Sequence, residues 1–388
     1  MNIIHVIGSL EIGGIQKYVI QLSQSPLLNH YKHKILTTIF FEGNFRSEYE
    51  INNINLEHLP FTYLPKKYIP YRIDKLFRYL FSRLYSIRMW YYLVKSETDI
   101  IHSHIHSHII SQILASILSG RRIIWTIHGE YSLGKLTIWT IRILDSILPN
   151  TKCKIIADSK SALWSTLPYT RNNSYPDNII PTGIDLEPYS QKYDKSFIRK
   201  KNNITEDTIL IGSSGRIVWQ KGYGQLLSLL EDYDFNKKKL HFLIAGDGNL
   251  RNKYIEYIEM QHLEDKITFI GNISNIPEFL SALDIYIQPS LTEGFPLSVL
   301  EAMATGLPII CSDAGGMKDM IHNNMNGILY ESGDLHSLYE MFCKILSMKS
   351  DELYQLGRNA RNIAQNNFSL SNSAEEYKTL YNFKAKHN

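Results

Sequence analysis

The sequence predicts an α/β protein made of two doubly wound parallel sheets. Three observations carry that prediction. The chain of 388 residues is long enough for two domains, each with its own core. A short β-branched run, a small-residue turn and a helical pattern recur along it. The β-branched runs are apolar throughout rather than alternating, which indicates strands covered on both faces.

In the first half, IIHVIGSL leads through Gly13-Gly14 to the helical IQKYVIQLSQ, and DIIHSH leads to IISQILASILS. IIWTIHG, KIIADS and NIIPTG read as further strand-and-turn units. In the second half the strands are ILIGSSGR, LHFLIAGDG, ITFIGN, IYIQPS and LPIICSDAGG, with helices between most of them. The joint falls in the turn-rich, polar PTGIDLEPYSQKYDKS at 181–196. Domains are therefore expected at 1–185 and 186–368, with a helix at 369–388. Ligands of such sheets bind beyond the carboxyl ends of the strands.

Composition is that of an ordinary globular protein, 44% hydrophobic and 20% charged. Cys153, Cys311 and Cys343 are too few and too scattered for a disulfide framework or a zinc site. No charged leader and no apolar run long enough to span a bilayer is read, so a cytosolic protein is expected. The net charge of +3 conceals a basic, aromatic segment at 61–95, with eight Lys or Arg against Asp74 alone. There Leu76, Leu80, Leu84, Ile87 and Tyr91 form an apolar stripe opposite Lys75, Arg78, Ser82 and Ser86. It reads either as an interfacial surface for anionic lipid or as an amphipathic helix packed on its own domain. Nothing indicates a nucleic-acid partner.

The richest stretch is LTEGFPLSVLEAMATGLPII at 291–310. Pro296 suits a first helical position, Leu297, Leu300 and Ala304 recur at helical spacing, and Gly306 with Pro308 stops the helix. Glu293 then lies in the loop before the helix and Glu301 one to two turns inside it. The mouth of that helix, at Gly294, Phe295, Pro296 and Leu297, is a ready anion site. A phosphate flanked by two carboxylates fits a nucleotide-sugar. Arg216 and Lys221, in GSSGRIVWQKGYGQLL, can clamp its diphosphate. Glu301 suits a ribose diol, and Glu293 suits the sugar or the charge at its anomeric carbon. His128, at a strand end, can bond a sugar hydroxyl or phosphate, or turn its backbone carbonyl to the ligand. Gly13-Gly14 would let backbone N–H groups approach a phosphate. The glycines of AGDGNL, Gly246 and Gly248, lack the third member of a dinucleotide fingerprint.

His102, His104, His106 and His108 alternate, so in one strand they would share a face, roughly 6–7 Å apart. A metal there is set aside because no carboxylate or cysteine cluster completes the set. They read instead as sugar or carboxylate contacts, His104 on the acceptor side with Gly13. Asp232-Tyr233-Asp234 is read as a hydrated helix end rather than a metal motif.

These pieces, in this order, resemble the retaining glycosyltransferases of family 4. The resemblance runs from Gly13 to about Tyr381 and is carried by GGIQKY, DIIHSH, WTIHG, IIADS, PTGID, GRIVWQKGYGQLL, LIAGDGNL, FIGNIS and EGFPLSVLEAMATGLPIICSDAGG. It implies the GT-B fold, two Rossmann-like domains facing a central cleft, with the last helix returning to the first domain. It implies transfer of a sugar from a nucleotide donor, UDP-linked by expectation, to an acceptor hydroxyl of a glycan or lipid-linked glycan. Retention would follow a front-face route with no metal or other cofactor. The family's glutamate pair maps onto Glu293 and Glu301, its diphosphate cations onto Arg216 and Lys221, its histidine onto His128 and its glycine loop onto Gly13-Gly14. Gln16 and Thr182 depart from its usual Glu and Asn. A nucleotide-sugar epimerase, or a silent nucleotide-sugar or glycan binder, is the competing expectation.

Overall fold

The structure is a computed structural model that describes residues 1–8, 13–38, 55–59, 85–105, 108–129, 140, 153–166, 179–232 and 238–383. It divides into two compact units, Met1–Gly183 with Leu370–Asn388, and Ile184–Ser369.

The sheet of the first unit contains β1 (Asn2–Ile7), β2 (Lys32–Thr37), β3 (Asn55–His58), β4 (Ile100–Ser103), β5 (Arg122–Ile127) and β6 (Cys153–Ala157). All its pairings are parallel, in the order β3-β2-β1-β4-β5-β6. The second unit repeats the plan with β7 (Ile209–Ser214), β8 (Leu240–Ala245), β9 (Ile267–Gly271), β10 (Ile285–Gln288), β11 (Ile309–Ser312) and β12 (Ile328–Tyr330). Its order, β12-β11-β10-β7-β8-β9, is also wholly parallel. Strand order reverses between β1 and β4 in one unit, and between β7 and β10 in the other. Those two points are where doubly wound sheets open a crevice for ligands.

The apolar strands of the second unit are buried on both faces, as their sequences require. Leu210, Leu243 and Tyr286 enter one core cluster, while Ile211, Phe242, Ile244 and Ile287 enter another. The first unit differs. One face packs Ile4, Val6, Ile101, Ile123 and Trp125 in an apolar core. The opposite face carries buried His5, His102, His104 and Thr126 beside apolar Ile7 and Ile35.

The helix Leu370–Asn382 belongs to the first unit. Arg122 donates to the carbonyls of Tyr381 and Leu380 at 3.0 and 3.1 Å, and Tyr31 donates to Asn382 Oδ1 at 2.8 Å. A cation on the last carbonyls of a helix satisfies acceptors left without intrahelical partners.

Several expectations are corrected. NIIPTG forms no strand; Ile179 makes only an isolated bridge to Ala157. β2, β3 and β12 are strands beyond those expected from the pattern. β4 ends at Ser103, and His108 has a left-handed φ of 61° at the start of the helix Ile109–Ser119. The four alternating histidines therefore do not share one strand face. His102 and His104 do, His108 does not, and His106 lies outside the described residues. In the basic segment only 85–95 is described, as a helix. It buries Tyr85, Met89 and Leu93, whereas Ile87 and Tyr91, expected in one stripe with Leu84, are exposed. Residues 61–84, and with them the rest of that stripe, lie outside the described residues, as does Asp234 of the rejected metal motif.

Candidate active site

In the second unit the expected donor residues gather at the reversal between β7 and β10. Arg216 and Lys221 follow β7, and Glu293 follows β10. Lys221 Nζ lies 2.5 Å from Glu293 Oε1, with the two side chains 16% and 10% exposed. Ser290 Oγ donates to the same oxygen at 2.7 Å. Behind Ser290 a buried chain continues: Gln288 Nε2 donates to Ser290 Oγ at 2.9 Å, and Tyr286 donates to Gln288 Oε1 at 2.9 Å. Ser298 donates to that amide oxygen as well, at 3.1 Å. Glu293 is thus held by the strand that precedes it. Arg216 is exposed.

The two loops are bound to each other by backbone. The Leu291 N–H donates to the Gln220 carbonyl at 2.8 Å. Gly222 turns at φ +66°, and a Cβ there would stand 1.9 Å from the Pro289 carbonyl oxygen. Gly315, at φ +55°, approaches about as closely: its Cβ would stand 2.0 Å from the Glu293 carbonyl oxygen. The Gly316 N–H donates to the Gly294 carbonyl at 2.7 Å. A side chain at 315 would break that approach, so Gly315 fixes the backbone at Glu293 and Gly294.

The helix over the site spans Leu297–Thr305, with Pro296 as its N-cap rather than its first helical residue. No side chain caps it, so its first N–H groups retain the positive end of the helix dipole. Phe295 packs edge-on to Phe368 with ring centroids 5.4 Å apart, anchoring the turn. Glu301 lies one turn inside the helix and is 7% exposed. Tyr189 donates to Glu301 Oε1 at 2.8 Å. Burial first, then the Glu301 carboxylate, pushes the Tyr189 phenol upward, so the hydroxyl stays a donor.

In the first unit Gly13 is the N-cap of the helix Gly14–Gln24, again with no side-chain cap. His104, His128 and Asp158 stand at the carboxyl ends of β4, β5 and β6. The ring of His128 is enclosed: its Nε2 lies 3.0 Å from His104 Nδ1, and its Nδ1 lies 3.3 Å from Asp158 Oδ2. Its side chain is only 3% exposed while the residue as a whole is half-buried, so its exposed part is backbone.

Residues 12–188 match the model of Glycosyltransferase Family 4, and residues 194–363 match that of Glycosyl transferases group 1. The chain belongs to the family 4 glycosyltransferases. This glycosyltransferase is 26% identical over 355 residues to the UDP-Gal:alpha-D-GlcNAc-diphosphoundecaprenol alpha-1,3-galactosyltransferase of Escherichia coli, covering 88% of this chain and 91% of that one. It is 28% identical to the O-antigen biosynthesis glycosyltransferase WclY of Escherichia coli, over 67% of this chain and 72% of that one. Among solved structures, Anabaena Alr3699/HepE in complex with UDP superimposes with a TM-score of 0.79 at 19% identity, over 99% of this chain and all 100% of that one. WaaG, a glycosyltransferase involved in lipopolysaccharide biosynthesis, superimposes with a TM-score of 0.69 at 15% identity, over 98% and 100%. The fold is GT-B.

Sequence reasoning missed Tyr189, Tyr286, Gln288 and Ser290 in the glycosyltransferase. The signal for three of them was present in IYIQPS: a buried strand end with polar residues at alternate positions requires partners for them. Tyr189 carried no such signal. Among the described residues, His5, His102 and His104 present ring nitrogens within 4.8 Å of one another. All six of these nitrogens already have hydrogen-bond partners, those of His102 being Tyr381 and Thr126.

Proposed function

We propose that this glycosyltransferase moves a hexose or N-acetylhexosamine from a UDP-sugar to a lipid-linked glycan of a bacterial surface polysaccharide, of the O-antigen, capsule or lipopolysaccharide kind. The observation that carries the donor side is the Lys221–Glu293 pair at the reversal between β7 and β10, beside an uncapped helix mouth. A diphosphate bound there meets Lys221, Arg216 and the N–H groups of Gly294, Phe295 and Leu297. Those groups stabilise the charge that builds on a departing nucleoside diphosphate. Glu293 then faces the positive charge at the anomeric carbon, and Glu301 takes the ribose diol.

Configuration is retained by a front-face route. The acceptor hydroxyl loses its proton to the leaving phosphate as the new glycosidic bond forms on the face the phosphate leaves. Arg216 and Lys221 supply the positive charge a metal would otherwise bring, and the saturated nitrogens of His5, His102 and His104 support a metal-free reading. His128 contributes its exposed backbone to the sugar, because its ring is engaged. In the first unit Gly14 is the proposed phosphate contact and Gly13 the proposed acceptor contact, whereas His104, expected on the acceptor side, is buried with both ring nitrogens engaged. The acceptor class rests on the galactosyltransferase and O-antigen relatives.

A membrane surface fits the same acceptor. On helix 85–95, Ile87, Trp90, Tyr91 and Val94 are all exposed, at 60%, 37%, 59% and 50%. Their spacing puts them on one stripe beside a basic segment. The enzyme would then work at the cytoplasmic face of the membrane. No helix of the described residues is long and apolar enough to cross it.

The deciding experiment incubates the enzyme with a panel of UDP-sugars, with and without a lipid-linked glycan, and resolves the product anomer. Transfer with an α-product from an α-donor, in the presence of chelator, is expected. Conversion of the donor sugar without an acceptor would make the enzyme an epimerase.

A further inference from the structure

The histidines of the first unit form a continuous line. The Leu28 carbonyl meets His33 Nε2 at 3.2 Å, and His33 Nδ1 meets His5 Nε2 at 2.9 Å. His5 Nδ1 meets His104 Nε2 at 3.1 Å, and His104 Nδ1 meets His128 Nε2 at 3.0 Å. His128 Nδ1 then meets Asp158 Oδ2 at 3.3 Å. The line crosses the sheet strand by strand, through β2, β1, β4, β5 and β6.

Register explains why it can. His33 is level with Ile3, two residues before His5, and His5 is level with His102, two before His104. Ser103 is level with Trp125, so His104 stands two residues before His128. Each step from ring to ring moves one strand over and two residues along, which keeps every ring on one face, and the last step, from His128 to Asp158, is level. Diagonal neighbours of that kind are roughly 7–8 Å apart, within reach of a ring at each end. The successive ring centroids are 5.2, 5.3 and 5.2 Å apart.

Proton counting then constrains the line. Both ends, a carbonyl and a carboxylate, accept only. Five contacts each need one proton, and four neutral imidazoles bring one apiece. We propose that His33, His5, His104 and His128 form a proton wire that stores one excess proton against Asp158.

With that proton in place every contact is a hydrogen bond. His128 donates to Asp158 and to His104, His104 donates to His5, His5 donates to His33, and His33 donates to Leu28. Burial and neighbouring imidazoles push His5 and His104 well down, and burial pushes His33 down, so the excess proton belongs at the Asp158 end beside the only carboxylate of the line. Groups packed around the line are His102 from β4, Tyr18 from the helix Gly14–Gln24, Tyr31 and His30 beside His33, and Tyr377 and Tyr381 from the last helix. Ser159 donates to the other oxygen of Asp158 at 3.1 Å. Losing the proton leaves one contact with two lone pairs facing each other, at the sheet end where ligands bind. The wire is therefore a pH-sensitive element at that edge, whatever sugar the enzyme transfers.

The test is histidine-15N NMR of the full-length enzyme, reading the tautomer and proton count of each ring between about pH 6 and 8. In the parent, His5 and His104 are expected to carry the proton on Nε2 and His128 on both nitrogens. In His33→Phe the carbonyl end is lost, three neutral rings satisfy the remaining contacts, and the excess proton is no longer needed. His5 and His104 should then switch to Nδ1–H, and His128 should hold one proton. In His33→Gln the side-chain amide still donates to Leu28 and accepts from His5, so the parent pattern should persist. If His33→Phe does not fold, Asp158→Asn replaces it: the amide can donate to His128, and the excess proton should vanish with the Nε2–H tautomers kept. A singly protonated His128 in the parent throughout this range, or tautomers unmoved by His33→Phe, would overturn the wire.

Discussion

Lys221 Nζ and Glu293 Oε1 are 2.5 Å apart, so the cation expected on the donor diphosphate is engaged by the carboxylate expected at the sugar. The two groups act as a unit. Truncating one partner leaves the other charge in a site where the side chains are only 16% and 10% exposed, a loss of about 3–5 kcal/mol for fully buried pairs and less here.

A double-mutant cycle with Lys221→Ala and Glu293→Gln tests that coupling. Lys221→Ala should weaken donor binding by more than about tenfold, and Glu293→Gln should lower kcat by about 100-fold or more. Together they should cost less than the sum, with a coupling of about 1–3 kcal/mol. Additive losses in calorimetry and initial rates would mean that the pair does not function as one.

Tyr189→Phe removes the hydroxyl that donates to Glu301 at 2.8 Å without emptying space. Donor affinity should fall and stability should drop by about 1–2 kcal/mol, because a buried acceptor loses a partner. Ordinary affinity for UDP would detach Glu301 from the ribose.

Gly315→Ala should impair transfer while the second unit stays folded. The new methyl would meet the Glu293 carbonyl at 2.0 Å, and φ +55° strains any side chain. The cost is about 1–3 kcal/mol, felt at Glu293 first. Parent-like turnover in Gly315→Ala would show that this backbone position tolerates displacement.

Acid should destabilise the first unit. His5, His102 and His104 are pushed below the ordinary value by burial first and then by neighbouring imidazoles. The unfolded chain binds protons near pH 6.5 that these folded rings refuse, so their contribution is complete above that pH. It is lost as pH falls from there toward their folded values, at up to about 1.4 kcal/mol per pH unit for each ring. Urea unfolding at pH 7.5 and 5.5 measures this, and equal stability at both would contradict it.

Vesicles of anionic phospholipid should carry the enzyme upward in flotation at low salt. Trp90→Glu with Tyr91→Glu should abolish that, since both side chains are exposed at 37% and 59%. Undiminished flotation of the double variant would place the contact elsewhere.

The sequence alone yielded the α/β class, ten strand-like runs and the residues proposed at the donor. Apolar strands and glycine turns are local signals, and EGFPLSVLE states its own turn and helix. It missed β2 because KHKILT begins with polar residues, and β3 and β12 because they are short edge strands. It misread NIIPTG because an apolar run does not say whether a neighbouring strand offers it a full ladder.

What the sequence determined by itself is the spacing of Glu293 and Glu301 around a helix start and the placement of Arg216 and Lys221 after a strand. What only the tertiary structure decided is who faces whom. Lys221 meets Glu293 across 72 residues, Tyr189 meets Glu301 across 112, and His5 meets His104 across 99. His5, His33, His104 and His128 are scattered in the chain and form one line only because parallel register sets each strand two residues on from the last. Register is fixed by burial on both faces of the sheet, and a single-residue slip would send every one of those rings to the opposite side.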